Sequence, residues 1–573
     1  DRAILRHRAA RLTRQLQRGI LDNDIDKRTA FLKDYYYYNK YPKKINDENI
    51  KVNPRSTPTK NPKICIIGAG MAGLFSSLLL KKAGINDITI LEYQDRVGGR
   101  VHTHYFTDNP NDERRLYAEL GAMRLPYVQD RPDLSPHQLV FDTIDYMNEY
   151  NEKDDPDRKI NLIPFIFNNP NALYYFNNKK TPSGEIMTSN YSESADAKQL
   201  GLPDEIPYNY LSLWSDAVQP FYDELDSNFT NGLINLKRYD NYTTYSYLKE
   251  IYLPKVLPDK SDDYDEIISA IELQEAGTGE YHLYSFPNCV VEAYTFSNPK
   301  YEISWKTIDK GLQRLPNAFL PMIKKENINL TYNSEVYKLE KTNDNKVEVY
   351  WKNDGRSVSE IFDQVIVTVP LGLFKSRFWE KSPSETGSNP TTSNVGIVGG
   401  ITHTDLPIRI LVYPSYYRNI SVDNPAVLLA SYTWGNDAAK YAQYSDEEKF
   451  ELTLKDLATI HGDIVYKEWI PGKENNKAQY WPTDRTSGGA YSDYSVAQLG
   501  SLMVSMMRPE ESIHWAGEHT DIHCAWIVAA LNSGVRVVKE ILLENLMGDK
   551  WSEIKNMKLL KYWNGNLEAF EGY

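Results

Sequence analysis

Residues 63–74 read KICIIGAGMAGL, an apolar strand that runs directly into a glycine-rich turn. Gly68, Gly70 and Gly73 have the spacing GxGxxG, and the helix-like stretch LFSSLLLKKAG follows them. In this pattern the first glycine permits a tight turn, the second lets the backbone approach a pyrophosphate, and the third lets the helix pack on the strand. The helix N-terminus then offers amide groups to the anion. The stretch therefore predicts a dinucleotide-binding unit in an α/β fold.

A second predicted strand, residues 87–91 (DITIL), ends on Glu92. An acidic side chain at that position can accept hydrogen bonds from both hydroxyls of a ribose. Ordinary turn glycines would not explain why strand, glycines, helix and acidic strand end occur together. Farther on, Gly98 and Gly99 precede Arg100, whose guanidinium can contact phosphate or ribityl oxygens.

The string EYQDRVGGR, which begins at Glu92, resembles the E-x3-R-x-GGR signature of FAD-dependent amine oxidases. Residues 513–520 (IHWAGEHT) resemble the (F/W)-A-G-E-x-T motif of the same family, in which Glu518 would bind the ribityl and pyrophosphate region. The resemblance implies that both ends of the chain meet across one FAD. It also implies that the helix after Trp526 and Ile527 begins near the flavin N1/C2 carbonyl, where its dipole would stabilise the anionic reduced flavin.

Residues 116–126 (LYAELGAMRLP) resemble the GxMRxP segment of L-amino acid oxidases, in which the arginine, here Arg124, receives the substrate carboxylate. A planar guanidinium suits that role because it binds carboxylates bidentately. The alternative is a structural arginine that holds a flavin phosphate or a domain interface. Tyr432, within ASYTWGNDA, aligns with a family tyrosine that binds the same carboxylate, and residues 404–414 resemble the TDLPxR...YP segment of microbial members. Ala525 stands before Trp526, where venom-type enzymes have glycine.

The resemblance thus assigns substrate carboxylate and amine binding to Arg124, Tyr432, Ala525 and Trp526. Val336 resembles the family's adenine-contacting valine. Trp481 falls where the family has an aromatic wall near the flavin, and a buried core tryptophan accounts for it equally well. The predicted FAD contacts are Gly68, Gly70, Gly73, Glu92, Gly99, Arg100, Gly121, Ala122, Met123, Val336, Trp481, Gly517, Glu518, Trp526 and Ile527. No metal site is predicted at His519-x3-His523-Cys524, because the flavin motif accounts for His519 and no second cysteine is nearby.

The implied architecture is a discontinuous Rossmann-like FAD-binding domain of the GR2 type, a mixed-sheet substrate domain and a helical insertion. The predicted boundaries are 1–60 for an N-terminal helical segment and linker, 61–125, 300–372 and 500–548 for the FAD-binding domain, 126–299 for a largely helical domain, 373–499 for the substrate domain and 549–573 for a tail. Apolar periodicity predicts helices at 1–20, 138–152, 210–225 and 261–274, and strands at 328–332, 346–351, 364–369, 409–413 and 427–432.

Charge and composition narrow the choice of partners. The net charge of −13 opposes binding to nucleic acid or to anionic membranes, and no apolar stretch approaches the roughly 20 residues needed to cross a bilayer. Three scattered cysteines do not form a disulfide framework, so the compartment stays open between secreted and cytoplasmic for a chain expected to be soluble. The predicted partners are an L-amino acid, molecular oxygen and, from the resemblance, further copies of the chain in a homodimer or higher homo-oligomer.

The family chemistry is oxidative deamination of an L-amino acid by FAD to a 2-oxo acid, ammonia and hydrogen peroxide. One departure concerns the residues after Pro370, where the family has a lysine that holds a water near flavin N5. Here Lys375-Ser-Arg-Phe378-Trp379 follows almost at once, and no such lysine is assigned. Two alternatives remain: an amino acid 2-monooxygenase that forms the amide, and a non-catalytic flavin-binding scaffold. A monoamine or polyamine oxidase is disfavoured by Arg124, since its substrates have no carboxylate.

Overall fold

The computed structural model of the protein describes most of the chain between residues 58 and 563. The described residues are 58–106, 116–129, 132–133, 135–153, 155–192, 199, 210–275, 280–296, 302–370, 397–417, 426–472 and 474–563. The predicted N-terminal helix 1–20 and the stretch from Lys375 to Trp379 lie outside them.

Strands and helices alternate along the first part of the described chain and separate into blocks farther on. The strands are β1 Ile64–Ile67, β2 Ile88–Leu91, β3 Thr103–Tyr105, β4 Tyr117–Glu119, β5 Leu125–Tyr127, β6 Leu162–Pro164, β7 Leu173–Tyr175, β8 Met187–Thr188, β9 Ser304–Ile308, β10 Asn329–Thr331, β11 Ser334–Lys341, β12 Val347–Asn353, β13 Arg356–Phe362, β14 Gln364–Val367, β15 Ile401–Thr404, β16 Ile410–Val412, β17 Leu429–Tyr432 and β18 Ile513–Trp515. The α-helices are α1 Met71–Lys82, α2 Gln138–Asn151, α3 Ser189–Ser192, α4 Tyr210–Ser227, α5 Phe229–Leu236, α6 Thr244–Tyr247, α7 Leu253–Val256, α8 Tyr264–Glu275, α9 Phe286–Phe296, α10 Arg314–Asn317, α11 Leu320–Lys325, α12 Gly435–Tyr441, α13 Asp446–His461, α14 Ile464–Glu468, α15 Val504–Met507, α16 Ile527–Glu544 and α17 Gly548–Lys555.

A parallel sheet with the order β10-β2-β1-β14-β18 joins strands from distant parts of the sequence. Its central strand β1 is buried on both faces, as parallel strands covered on each side require. Ile64 and Ile66 face a core that includes residues of α1 and α16, whereas Cys65 and Ile67 pack with the antiparallel sheet β11-β12-β13. Because alternate side chains of the strand point to opposite faces, the parallel sheet is the middle of three layers, between the helices α1 and α16 and the antiparallel sheet. The turn after β1 lies at the carboxyl edge of this middle layer.

A second sheet, β17-β16-β15-β7-β8, is mixed, since β15 pairs in parallel with β7 and the other pairs are antiparallel. Helix α13 packs against it through Leu454, Leu457 and Ile460. This arrangement confirms the expected α/β class and the presence of a mixed sheet beside the parallel one.

The predicted helices and strands that fall on described residues are confirmed, with boundaries that differ by three residues at most. The segment 126–299, predicted to be a largely helical domain, contains helices α2 to α9 and also contributes strands. β6 pairs with β9, and β7 and β8 extend the mixed sheet. These strands have two or three residues each, too short for a period of two to show in the sequence. Within the described residues, no helix combines the length and apolar character that crossing a bilayer requires.

Candidate active site

A cavity of about 2500 Å³ extends from the carboxyl ends of β1 and β2 to the mixed sheet and helix α9. Its volume exceeds the roughly 300–1,000 Å³ of a pocket for one drug-sized ligand, so it has room for a dinucleotide together with a second molecule. All the predicted site residues line this cavity except Gly73.

The turn after β1 has the geometry of a phosphate cradle. Gly68 has a φ of +103°, and a Cβ there would lie 2.5 Å from Thr368 Oγ1. A Cβ on Gly73 would lie 2.1 Å from the Gly68 carbonyl oxygen, so this glycine allows α1 to pack on β1 and has no cavity contact. A Cβ on Gly70 would meet nothing within 4 Å, and no side chain caps the N-terminus of α1. The first amide groups of the helix are left for an anion.

Glu92 is fixed at the end of β2 with 6% of its surface exposed. Its carboxylate accepts the Ala69 N–H at 2.6 Å and the Gln94 N–H at 2.8 Å. Burial raises the pKa of Glu92, and these N–H donors partly offset the rise. Val336, in β11, lines the same part of the cavity. The bonds hold the carboxylate at the strand end where a ribose is expected.

Arg100 and Glu518 join the two predicted FAD motifs directly. Arg100 Nη1 lies 2.7 Å from Glu518 Oε1 and 3.1 Å from the Ala490 carbonyl oxygen. Glu518 also accepts the N–H of Ala525 at 3.0 Å. Burial acts to raise the pKa of Glu518, but Arg100, His519 and the Ala525 N–H together lower it. This ion pair therefore joins the segment EYQDRVGGR to the segment IHWAGEHT, which lie about 400 residues apart in the sequence.

Arg124 lies among aromatic rings at the other end of the cavity. Its Cζ is 5.0 Å from the ring centroid of Phe167, 5.3 Å from that of Phe296 and 5.5 Å from that of Trp305. Its Nη1 is buried and has no hydrogen-bond partner among the described residues. Burial lowers the pKa of Arg124, while Tyr432 and Glu292 act to raise it. A buried guanidinium with an unmade hydrogen bond is costly, so the site favours an anionic ligand.

Tyr432 and Trp526 line the same cavity as this guanidinium. Tyr432 ends β17 and lines the cavity within electrostatic reach of Arg124. Trp526 stacks on Trp305 with ring centroids 6.2 Å apart. Ala525 lies before Trp526 in the left-handed conformation, with a φ of +70°. The methyl group is therefore held at a position where the backbone favours glycine.

Trp481, predicted as an aromatic wall, is 8% exposed and donates Nε1–H to the Leu120 carbonyl oxygen at 3.0 Å. This bond fixes the ring beside Gly121, the residue that begins the segment carrying Arg124. His519 lies in a short 3-10 turn, Glu518–Thr520, and His523 follows outside it, so the two imidazoles do not share a helical face. Among the described residues, no group of three metal-ligating side chains is found.

Comparison with known proteins identifies the family. The sequence profile described as "Flavin containing amine oxidoreductase" matches residues 71–151 and 239–542. The chain belongs to this family. It is therefore an oxidoreductase that uses a flavin, and the amine oxidase resemblance inferred from the two FAD motifs is confirmed.

Curated relatives cover most of this flavin amine oxidoreductase. L-amino-acid oxidase 4 of Hebeloma cylindrosporum is 28% identical over 590 residues, which span 93% of this chain and 88% of that protein. L-amino-acid oxidase of Neurospora crassa is 28% identical over 531 residues, 85% of this chain and 72% of that protein. Among solved structures, wild-type putrescine oxidase bound to putrescine matches with a TM-score of 0.55 and 15% identity, over 84% of this chain and 99% of that chain. The last comparison supports the fold alone.

Sequence reasoning missed three carboxyl groups of this flavin amine oxidoreductase. Glu280, Glu292 and Asp493 line the cavity that Arg124 and Tyr432 also line. Glu292 could have been recognised from the sequence, because it is the one charged residue in the apolar helix α9, FPNCVVEAYTF. A charged residue within a buried stretch usually has a partner or a function.

Proposed function

We propose that the protein is an FAD-dependent L-amino acid oxidase, which converts L-amino acids to 2-oxo acids with release of ammonia and hydrogen peroxide. The observation that carries this proposal is the buried Arg124 Nη1, which has no hydrogen-bond partner among the described residues and lies in the same cavity as the glycine turn. A guanidinium binds a carboxylate bidentately, whereas an amine without a carboxylate would leave it unpaired at a cost of about 1–3 kcal/mol. The two fungal relatives are named L-amino-acid oxidases.

We propose further that the parallel sheet is a discontinuous Rossmann-like domain of the GR2 type that holds FAD. The open face of Gly70 and the uncapped start of α1 suit the pyrophosphate, and the fixed carboxylate of Glu92 suits a ribose. Val336 would contact the adenine, and Glu518 the ribityl chain. When bound, FAD supplies the acceptor for the hydride of the substrate α-carbon and passes the electrons to oxygen.

The contribution of the protein to the reaction is alignment. Arg124 and Tyr432 would hold the carboxylate at two points, so that the α-hydrogen faces the flavin and the amine lies toward Ala525 and Trp526. The rings around Arg124 exclude water, which strengthens the charge pair. No side-chain nucleophile is needed for this chemistry.

The proposed FAD-binding domain comprises 61–125, 300–372 and 500–548. The substrate domain comprises 373–499 and, from the pairing of β7 and β8 with its sheet, residues 173–188 as well. A homodimer or higher homo-oligomer stays a prediction from the resemblance, and sedimentation velocity of the holoprotein tests it.

Product analysis tests the proposed function. The purified holoprotein is incubated in air with single L-amino acids, and 2-oxo acid, ammonia and peroxide are measured. We expect the three products in equal amounts. An amide with carbon dioxide would instead assign a 2-monooxygenase, and a flavin that no L-amino acid reduces would leave a flavin-binding scaffold.

A further inference from the structure

The substrate end of the cavity contains more acidic groups than the proposed reaction uses. Glu280, Glu292 and Asp493 line it, and the Tyr432 hydroxyl lies within electrostatic reach of all three as well as of Arg124. They come from different segments of the chain, since Glu280 precedes α9, Glu292 lies in α9 and Asp493 follows the Gly488-Gly489 turn. Their convergence on one tyrosine therefore reflects the tertiary fold.

The three groups differ in how the protein satisfies them. Asp493 accepts a hydrogen bond from Asn288 Nδ2 at 3.1 Å. Glu280 is 9% exposed. Glu292 forms no hydrogen bond or ion pair within 4 Å with the described residues, and its resolved attraction is the longer-range one to Arg124. Burial raises the pKa of Glu292 to about 7, and burial followed by repulsion from Glu292 raises that of Asp493 well above its usual range. Among the described residues, no ion pair within 4 Å is found for Glu292 or Asp493.

The charge balance changes when an amino acid binds. In the proposed complex the substrate carboxylate takes the unpaired Nη1 of Arg124, which is the independent sign that a ligand belongs here. Arg124 is then neutralised and no longer offsets Glu292. His403, also near Arg124, does not replace it, because burial lowers its pKa to about 4. A buried carboxylate without a countercharge is strongly unfavourable. With a neutral side chain these buried carboxyl groups take up protons, whereas a cationic side chain stabilises their ionised form and pairs with it.

We infer that Glu292 and Asp493 select L-amino acids with a cationic side chain, of the lysine, ornithine and arginine class, by receiving the ammonium or guanidinium group of the substrate. This inference rests on the proposed function, since it assumes that Arg124 binds the α-carboxylate. Glu280, which lines the same end of the cavity, adds negative electrostatic potential near the Tyr432 hydroxyl. Tyr284 and Tyr491, which also line the cavity, supply aromatic surface for the methylene chain of such a substrate.

A different role for Glu292 is proton transfer from the α-ammonium group of the substrate. The two roles predict different patterns among substrates. A base acts on the α-amine of every amino acid, whereas a selectivity residue acts only on substrates with a distal cation.

The experiment compares L-lysine with L-norleucine, which has the same carbon chain without the distal amine. Values of kcat/KM are measured by peroxide release for the wild-type holoenzyme and for Glu292→Gln and Asp493→Asn. We expect wild type to prefer L-lysine by about 100-fold, and each variant to lose roughly 30-fold or more on L-lysine with little change on L-norleucine. Glu266→Gln, an exposed charge-matched control in α8, leaves both values unchanged.

Equal or better turnover of L-norleucine by wild type would overturn the inference, and this comparison does not depend on any variant folding. An equal loss on both substrates in Glu292→Gln would also overturn it and would assign a base. The proposed function fails differently, because then neither amino acid reduces the flavin.

Discussion

The two ends of the cavity, the proposed nucleotide end at the glycine turn and the proposed substrate end at Arg124, differ in how their charged groups are paired. At the nucleotide end, Glu92 accepts two backbone N–H groups and Arg100 is paired with Glu518. At the substrate end, Arg124 Nη1 has no partner among the described residues, and Glu292 has no close one. Neutral atoms with no partner among the described residues, such as Gln94 Oε1 and His519 Nδ1, also occur at the first end. A buried charge without a partner costs far more, so it marks the place where a charged ligand completes the structure. At the nucleotide end the charged groups hold the protein backbone in place, and at the substrate end they are available to bind a charged ligand.

The largest expected effect on activity is that of Arg124→Ala, which tests the difference between the two ends. Removing the guanidinium that pairs with the substrate carboxylate lowers kcat/KM for L-amino acids by roughly 1,000-fold. Flavin content stays unchanged, because Arg124 contacts aromatic rings and not the glycine turn. Steady-state kinetics and the ratio of flavin to protein absorbance measure both quantities. Loss of flavin with the activity would break the contrast and identify a structural arginine.

A buried ion pair at His514, in the parallel sheet, is expected to contribute to the stability of the folded protein. His514 lies in β18 with Nδ1 2.9 Å from Glu540 Oε2 and Nε2 3.6 Å from Glu544 Oε2. Burial acts to lower the pKa of His514, but the two glutamates raise it from 6.5 to about 9. Since the folded pKa is the higher one, the stabilisation is complete below pH 6.5 and is lost as the pH rises through 9. It amounts to at most about 3 kcal/mol.

The measurement is the thermal unfolding midpoint of the holoprotein between pH 6 and pH 10. Wild type should lose stability across this window, and His514→Gln should show a flatter curve. His461→Gln is the matched control above pH 7.5, because burial lowers the pKa of His461 from 6.5 to about 4 and the imidazole is then neutral in both the folded and the unfolded protein. An unchanged slope in His514→Gln would contradict the pairing.

Glu92→Gln is expected to weaken FAD binding by about 10-fold, as loss of one charged hydrogen-bond acceptor implies. The amide can accept only one of the two N–H groups that the carboxylate now accepts. Titration of the apoprotein with FAD gives the dissociation constant. The ratio of turnover between two amino acids serves as the control and stays constant, since the two ends act separately. A changed ratio would break the comparison.

The smallest expected effect is that of Ala525→Gly. The left-handed backbone of Ala525 costs about 1 kcal/mol for a residue with a Cβ, and glycine removes that strain. The unfolding midpoint should rise slightly, while Ala525→Val should lower it. A lower midpoint in the glycine variant would show that the methyl group contributes packing that outweighs the strain.

The sequence alone predicted most of the residues around the glycine turn that line the cavity, because their signals are local. The glycines of the turn lie within six residues of one another, and Glu92 ends the next strand. Arg124 was also predicted from its neighbours. The rings around it, Phe167, Phe296 and Trp305, could not be predicted, because all three lie far from Arg124 in the sequence and only tertiary packing brings them to it.

The acidic groups and short strands were missed for the same physical reason. Glu280, Glu292 and Asp493 carry no shared spacing, and β6 to β8 gain their pairing from partners up to about 230 residues away. The lysine that the family places near flavin N5 stays unassigned, since residues 371–396 are outside the described part of the chain.

The most direct test of the central claim is anaerobic mixing of the holoprotein with matched pairs that differ only in the carboxylate: L-lysine with 1,5-diaminopentane, and L-norleucine with pentylamine. The flavin absorbance in the visible is followed in each case. If Arg124 binds the substrate carboxylate, the amino acids bleach the flavin and the corresponding amines do so far more slowly or not at all. Equal or faster bleaching by the amines would contradict the account.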